Sequence, residues 1–258
     1  MITAASNSRI KRLVQLNQKS KLRRTEDVFL AEGVKMFLEA PREQLQEVYV
    51  SESFLEKCSC REHLEEVGYE VVSDSVFSKI SDTCTPQGVL CVLKQFHYNI
   101  EEMLRDKAPL FLLLENIQDP GNLGTMLRTG EGAGVSGIIM SRDTVDLYNP
   151  KVIRSTMGSI YRVPFYYADD FAAAVHQVQR AGVSVYAAHL RGKNSYACQN
   201  YTKGTAFLIG NEGNGLREET AELADCYIRI PMEGKVESLN AAVASSILMY
   251  EAHRQRAI

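Results

Sequence analysis

No apolar run in the chain approaches the twenty or so residues that span a bilayer. Its first residues, MITAASNSRIKR, lack the apolar centre of a secretory signal. Both absences lead us to expect a cytoplasmic protein with no membrane partner. Cysteine is sparse and unpatterned. Cys58 and Cys60 stand close together, but Cys84, Cys91, Cys198 and Cys226 supply no second pair at zinc-site spacing. Reduced thiols and no metal site are therefore expected. None of the histidines, His63, His97, His176, His189 and His253, falls in a motif, so none is cast as a base. Net charge is only −3, which does not advertise a nucleic-acid partner.

What is present is more informative. Apolar residues at 45% and charged residues at 24% are those of a soluble globular chain. A length of 258 residues allows one large domain or two small ones. The basic residues are unevenly spread: Arg9, Lys11, Arg12, Lys19, Lys21, Arg23 and Arg24 crowd the start, and no acid precedes Glu26. Such a cluster can meet phosphates. The alternative is a solvated helix face.

The first part alternates helix and strand: helix 7–16, strand 29–31, helix 33–40, strand 48–50, one helix over 52–67, strand 69–72, helix 73–80 and strand 89–93. This pattern predicts an α/β unit with a mostly parallel sheet. A charged connector follows, and a dense apolar run starts at Pro109. The expected division is a domain over 1–95, a linker over 96–108 and a second domain over 109–258.

The second domain also alternates. Strand 110–114 leads to the turn Asp119-Pro120-Gly121 and a helix 123–133 that Asn122 can cap. A strand at 137–140, a helix from Pro150, a helix 169–181 facing inward with Phe171, Val175 and Val178, and a strand 183–188 follow. Short apolar runs at 206–209 and 228–230 each end in a loop. Loops at the carboxyl ends of strands are where open α/β sheets bind ligands. Ser238 then opens a terminal helix with Leu239, Val243, Ile247 and Tyr250 at helical spacing.

Two motif matches fail on context. GAGVSG, 132–137, has dinucleotide spacing but follows a helix and precedes a strand, the reverse of what that fingerprint needs. GNEGNG, 210–215, has no Lys-Ser/Thr after it and is no P-loop. Its glycines instead let main-chain groups approach a flat ligand.

Three stretches stand in order: ENIQDPGNLGTMLRTGEGAGV (115–135), GNEGNGL (210–216) and IPMEGKVESLNAAVASSILMYE (230–251). They resemble the signature motifs of the SpoU family of RNA ribose 2′-O-methyltransferases, in the SPOUT superfamily. The resemblance implies an α/β fold with a trefoil-knotted C-terminal domain on a parallel sheet, and S-adenosylmethionine as cofactor. It implies a homodimer formed through the C-terminal domain, with the helix from Ser238 to Tyr250 near the interface. The stretch SNSRIKRLVQLNQKSKLRRTEDVFLAEGVKMFLEA is similar to the N-terminal RNA-binding domain of many SpoU enzymes, which shares its fold with small ribosomal proteins. This points to ribosomal RNA as substrate. The alternatives are a transfer-RNA 2′-O-methyltransferase and a non-catalytic RNA-binding or ribosome-assembly factor.

The resemblance also implies residue roles. The cofactor lies against the main chain at Gly210, Ile230 and Leu239, flanked by Leu208 and Met232. Arg128 acts at the reacting ribose, where the bland alternatives are a surface charge or a carboxylate's partner. Asn122, Glu212, Ser238 and Asn240 complete the catalytic set, with Glu212 able to pair with Arg128 and Ser238 able to cap the last helix. The RNA-binding candidates are Arg9, Lys11, Arg12, Lys21, Arg23 and Arg24, with Arg154 meeting a phosphate and Ser155 shaping the pocket.

Overall fold

The computed structural model of the protein describes residues 1–236 and 238–257. Contacts divide the chain into two units, 1–96 with 146–161, and 97–145 with 162–258.

The first unit carries four strands: β1 (Val28–Glu32), β2 (Leu45–Ser51), β3 (Glu70–Val72) and β4 (Val89–Lys94). Their order is β1-β4-β2-β3. β4 runs antiparallel to both β1 and β2, and only β2 and β3 are parallel. The expected mostly parallel sheet is thus mixed and mainly antiparallel. The last strand inserts in the middle of the sheet, and alternation along a sequence carries no record of insertion order. The first helix, Ser8–Gln18, begins where Asn7 Oδ1 accepts from Arg9 N at 2.9 Å. It buries Ile10, Leu13 and Leu16 with Val76, Phe77 and Ile80 of the helix Asp74–Ile80. The single helix expected over 52–67 is two, Glu52–Lys57 and Arg61–Val67, because Cys58 takes an extended conformation.

The segment 146–161 returns to this unit from the middle of the second. Its helix, Pro150–Thr156, starts where Asn149 Oδ1 accepts from Lys151 N at 2.9 Å, and it buries Val152 and Ile153. Asp146 pairs with Arg23 at 2.5 Å. The Tyr148 hydroxyl accepts from Phe96 N at 2.7 Å and donates to Phe96 O at 3.1 Å, and the Tyr161 hydroxyl donates to Met36 O at 2.9 Å.

The second unit is a seven-stranded parallel sheet: β5 (Leu110–Leu114), β6 (Gly137–Ser141), β7 (Phe165–Ala168), β8 (Ser184–Ala188), β9 (Asn194–Ser195), β10 (Thr205–Ile209) and β11 (Cys226–Arg229), in the order β7-β6-β5-β10-β8-β11-β9. The central strands β5 and β10 are buried at every residue, which is why they read as continuous apolar runs. Among the described residues no helix is long and apolar enough to cross a membrane.

The terminal helix, Ala241–Arg256, packs on the helix Pro120–Ala133 and on β5 and β10. It buries Ala241, Ala242, Ser245, Leu248, Met249 and Ala252. Val243 and Tyr250 are each 48% exposed, so the expected apolar stripe points away from the core. A Cβ on Gly130 of the facing helix would lie 3.8 Å from Met249 Sδ. The contact face is made of Ala241, Ala242, Ser245 and Ala252 together with Leu248 and Met249, which leaves Val243 and Tyr250 outside. At the other end, Arg256 donates to the carbonyls of Tyr201 and Ala108, both at 2.8 Å, and of Lys203 at 2.6 Å.

Candidate active site

All strands of the second unit are parallel, so their carboxyl ends share one edge. The loops after β5, β6, β10 and β11 rise from that edge. The loop after β10 is tight. Asn211 and Gly215 exchange main-chain hydrogen bonds of 3.0 and 2.9 Å, and Gly215 has φ +70°. A Cβ on Gly210 would sit 2.2 Å from both the Gly215 carbonyl carbon and Leu216 N, so only glycine closes this turn. Asn211 Oδ1 accepts from the main-chain N–H of Gly213 and of Asn214, both at 3.0 Å, and its Nδ2 reaches Asn116 O at 2.8 Å.

Glu212 leaves this loop toward the loop after β5. Its carboxylate accepts from Gln118 N at 3.1 Å, Asp119 N at 3.0 Å and Asn122 Nδ2 at 3.0 Å. Partial burial alone would raise its pKa, but these donors outweigh burial and hold the carboxyl below the ordinary glutamate range. An ionised carboxylate only accepts, so the Asn122 amide must turn its nitrogen toward Glu212. Asn122 Oδ1 is then free to accept from Asn240 Nδ2 at 2.9 Å. Asn240 Oδ1 in turn accepts from Ala242 N at 2.9 Å and Val243 N at 3.2 Å, starting the terminal helix. One chain of side chains, Glu212–Asn122–Asn240, thereby ties the loop after β10 to the first turn of the helix Pro120–Ala133 and to the start of the terminal helix.

Two capping expectations are corrected by this geometry. The helix Pro120–Ala133 starts at Asp119, whose Oδ1 accepts from Asn122 N at 2.8 Å; Asn122 lies inside the helix. Asn240, not Ser238, caps the terminal helix. Ser238 is exposed and makes no hydrogen bond among the described residues. Arg128 is not held by Glu212. It lies on the exposed face of its helix with no ion pair among the described residues, which removes the reading as a carboxylate's partner. Ser155 is taken up locally, donating to Lys151 O at 2.9 Å.

Of the residues set against the cofactor, Ile230 and Leu239 are half-buried and Met232 is 37% exposed. Leu208 departs from expectation. Its side chain is fully buried in the core with Leu113 and Ala187, so it cannot flank a ligand. The main-chain groups of Met232 and Leu239 have no hydrogen-bond partner among the described residues. Apolar side chains beside open main-chain donors and acceptors suit a nucleoside such as the adenosyl group, so these residues fit S-adenosylmethionine.

A family model described as the SpoU rRNA Methylase family matches residues 109–250. The chain belongs to that family. A second model, an MRM3-like substrate binding domain, matches residues 7–91. The chain is 32% identical over 252 residues to the 23S rRNA (guanosine(2553)-2′-O)-methyltransferase RlmP of Bacillus subtilis, covering 96% of this chain and 97% of that one. It is similar to the crystal structure of an AdoMet-bound rRNA methyltransferase from Sinorhizobium meliloti, with a TM-score of 0.84, 31% identity, and coverage of 98% and 97% of the two chains. It also resembles the SpoU methyltransferase AviRb from Streptomyces viridochromogenes in complex with AdoMet, with a TM-score of 0.88, 26% identity, and coverage of 97% and 98%. The fold class of this SpoU member is that of the SPOUT methyltransferases, with a substrate-binding unit at the N-terminal side.

The RNA-binding candidates in this SpoU protein separate sharply. Arg23 is 3% exposed and donates to Leu16 O at 2.6 Å, Asn17 O at 3.1 Å and Asp146 at 2.5 Å, so it is structural. Arg12 is held between Glu26 and Glu47, both at 2.7 Å. Arg9 pairs with Glu70 at 3.2 Å and Arg154 with Asp82 at 3.3 Å. Lys11, Lys21 and Arg24 are exposed and unpaired among the described residues, as is Lys19. Sequence reasoning also missed a buried acid. Glu115, 2% exposed, accepts from Thr220 Oγ1 at 2.5 Å and from Arg217 N at 2.8 Å. Its sequence signals are its place directly after the apolar strand LFLLL and at the head of the stretch that begins ENIQDPGNLG.

Proposed function

We propose that this protein transfers the methyl group of S-adenosylmethionine to a ribose 2′-hydroxyl of ribosomal RNA. The observation that carries the reading is the Glu212–Asn122–Asn240 chain, which gathers the three motif stretches beside the open main chain of Met232 and Leu239. The cofactor supplies an electrophilic methyl on a sulfonium. The protein's part is to align donor and acceptor, and positioning of this kind accounts for much of a rate. Main chain at Gly210, Ile230 and Leu239 holds the donor. Arg128 contacts the RNA. A guanidinium yields its proton only in a desolvated site, and Arg128 is exposed, which favours a grip on the phosphate beside the reacting ribose over a role as base.

In this reading the unit of residues 1–96 and 146–161 holds the RNA, with Lys11, Lys21 and Arg24 free to meet phosphates, and the unit of 97–145 and 162–258 performs the transfer; the connector expected over 96–108 is instead packed into that second unit through Ile100 and Met103. A second copy of the chain covers the outward Val243 and Tyr250, giving a homodimer through the C-terminal domain. A ribosomal RNA substrate carries a cytoplasmic location with it.

The test is to map alkali-resistant linkages in ribosomal RNA from cells with and without the gene, and after incubation of the purified protein with S-adenosylmethionine. One added 2′-O-methyl ribose is expected. Methylation of transfer RNA alone, or binding of RNA with no uptake of S-adenosylmethionine, would replace the reading with one of its two alternatives.

A further inference from the structure

The loop 210–216 is gripped at both ends by one residue. Glu115 N donates to Ile209 O at 2.9 Å, where the loop leaves β10. Glu115 Oε2 accepts from Arg217 N at 2.8 Å, where the loop ends. Glu115 Oε1 accepts from Thr220 Oγ1 at 2.5 Å and from Arg217 Nη1 at 3.4 Å. The Arg217 guanidinium also pairs with Asp143 in the loop after β6. Asp143 is itself fixed, since it accepts from Ser141 Oγ at 2.5 Å, and Ser141 Oγ accepts from Asn116 N at 2.8 Å. Partial burial pushes the Asp143 carboxyl up, but Ser141 and Arg217 outweigh that and hold it below the usual range.

We propose that Glu115 and Arg217 are positioning residues for the methyl donor, acting by closing the 210–216 loop across its two legs. This rests on the reading of that loop as the donor site. Neither residue need touch the donor. A loop with one leg released no longer holds the main chain of Gly210 in one shape, and a site pre-shaped for its ligand loses affinity when that shape is lost. Both Glu115 oxygens face donors. Glutamine there could still accept from Arg217 N and donate to the Thr220 hydroxyl, but it removes the charge and sets its amide N–H against Arg217 Nη1, so Glu115→Gln is not a neutral change.

The experiment measures S-adenosylmethionine affinity by calorimetry, KM and kcat with the donor varied at saturating RNA, RNA affinity, and the melting temperature. Glu115→Gln and Arg217→Met are expected to raise both the donor Kd and its KM by about tenfold, the worth of one charged hydrogen bond. RNA affinity stays unchanged, and kcat falls far less than the donor affinity. Arg217→Lys keeps the charge but not the fork that spans Glu115 and Asp143, so it rescues only in part. Should Glu115→Gln fail to fold, Arg217→Met and Asp143→Asn read the same affinity at exposed side chains. Folded variants that bind the donor within about twofold of the wild type, with only the melting temperature lowered, overturn the proposal. A wild type that binds no donor overturns instead the reading on which it rests.

Discussion

Three polar groups of Asn122 are committed: its main-chain N–H to Asp119, its amide nitrogen to Glu212 and its amide oxygen to Asn240. The amide can therefore sit only one way round, and Glu212 fixes which. Replacing Glu212 by glutamine sets a second amide against the N–H groups of Gln118, Asp119 and Asn122. The expected loss at neutral pH is about 1–2 kcal/mol, as for a hydrogen-bonded charge. The sign with pH follows from the depressed carboxyl. Wild-type stabilisation is complete above the ordinary glutamate value of 4.5 and drains away as pH falls through the lower folded value. Denaturation of both proteins at neutral pH and at about pH 3 checks this, since the gap between them must narrow on acidification; a constant gap would count against it. The motifs made Asn122, Glu212 and Asn240 legible as one group in the sequence. Glu115 heads the first of those stretches, but its role was not legible, because nothing in the sequence names Thr220 and Arg217 as its partners. Nor could spacing choose between Asp119 and Asn122 as the cap, since both residue types start helices equally well.

At the scale of the element, the terminal helix runs past the full length of its strands. Sixteen residues rise about 24 Å, against about 17 Å for a five-residue strand. Asn240 holds its start at the edge that carries the site, and Arg256 and Gln255 hold its end near the opposite edge. The helix was plain from its periodicity. Which stripe faces inward was not, because the alanines, the serine, Leu248 and Met249 are buried by a neighbour the sequence does not name. The order of strands in the first unit was hidden for a related reason, since pairing partners are chosen in space. The outward stripe yields a test of the proposed dimer. Val243→Glu places a charge in an apolar contact and is expected to weaken self-association by at least about tenfold. Sedimentation of the variant beside the wild type measures it, and a variant with wild-type association would dismiss this face as the interface.

At the scale of the molecule, the second unit is interrupted by residues 146–161, whose side chains Leu147, Val152, Ile153 and Ile160 are buried in the first. Nothing in the alternation of helix and strand signals this excursion, because it is a matter of what the segment packs against. A fragment of residues 97–258 is therefore expected to expose those side chains and aggregate, and a version with 146–161 replaced by a glycine-serine linker to stay soluble. Gel filtration of the two fragments decides it; equal solubility would contradict the assignment. The same excursion bears on synthesis. The first unit cannot complete its packing when residue 96 leaves the ribosome, for it awaits material 65 positions downstream, Tyr161 included. At ordinary elongation rates that is a pause of roughly 3 to 13 s. During it the nascent amino-terminal half stands open to chaperones.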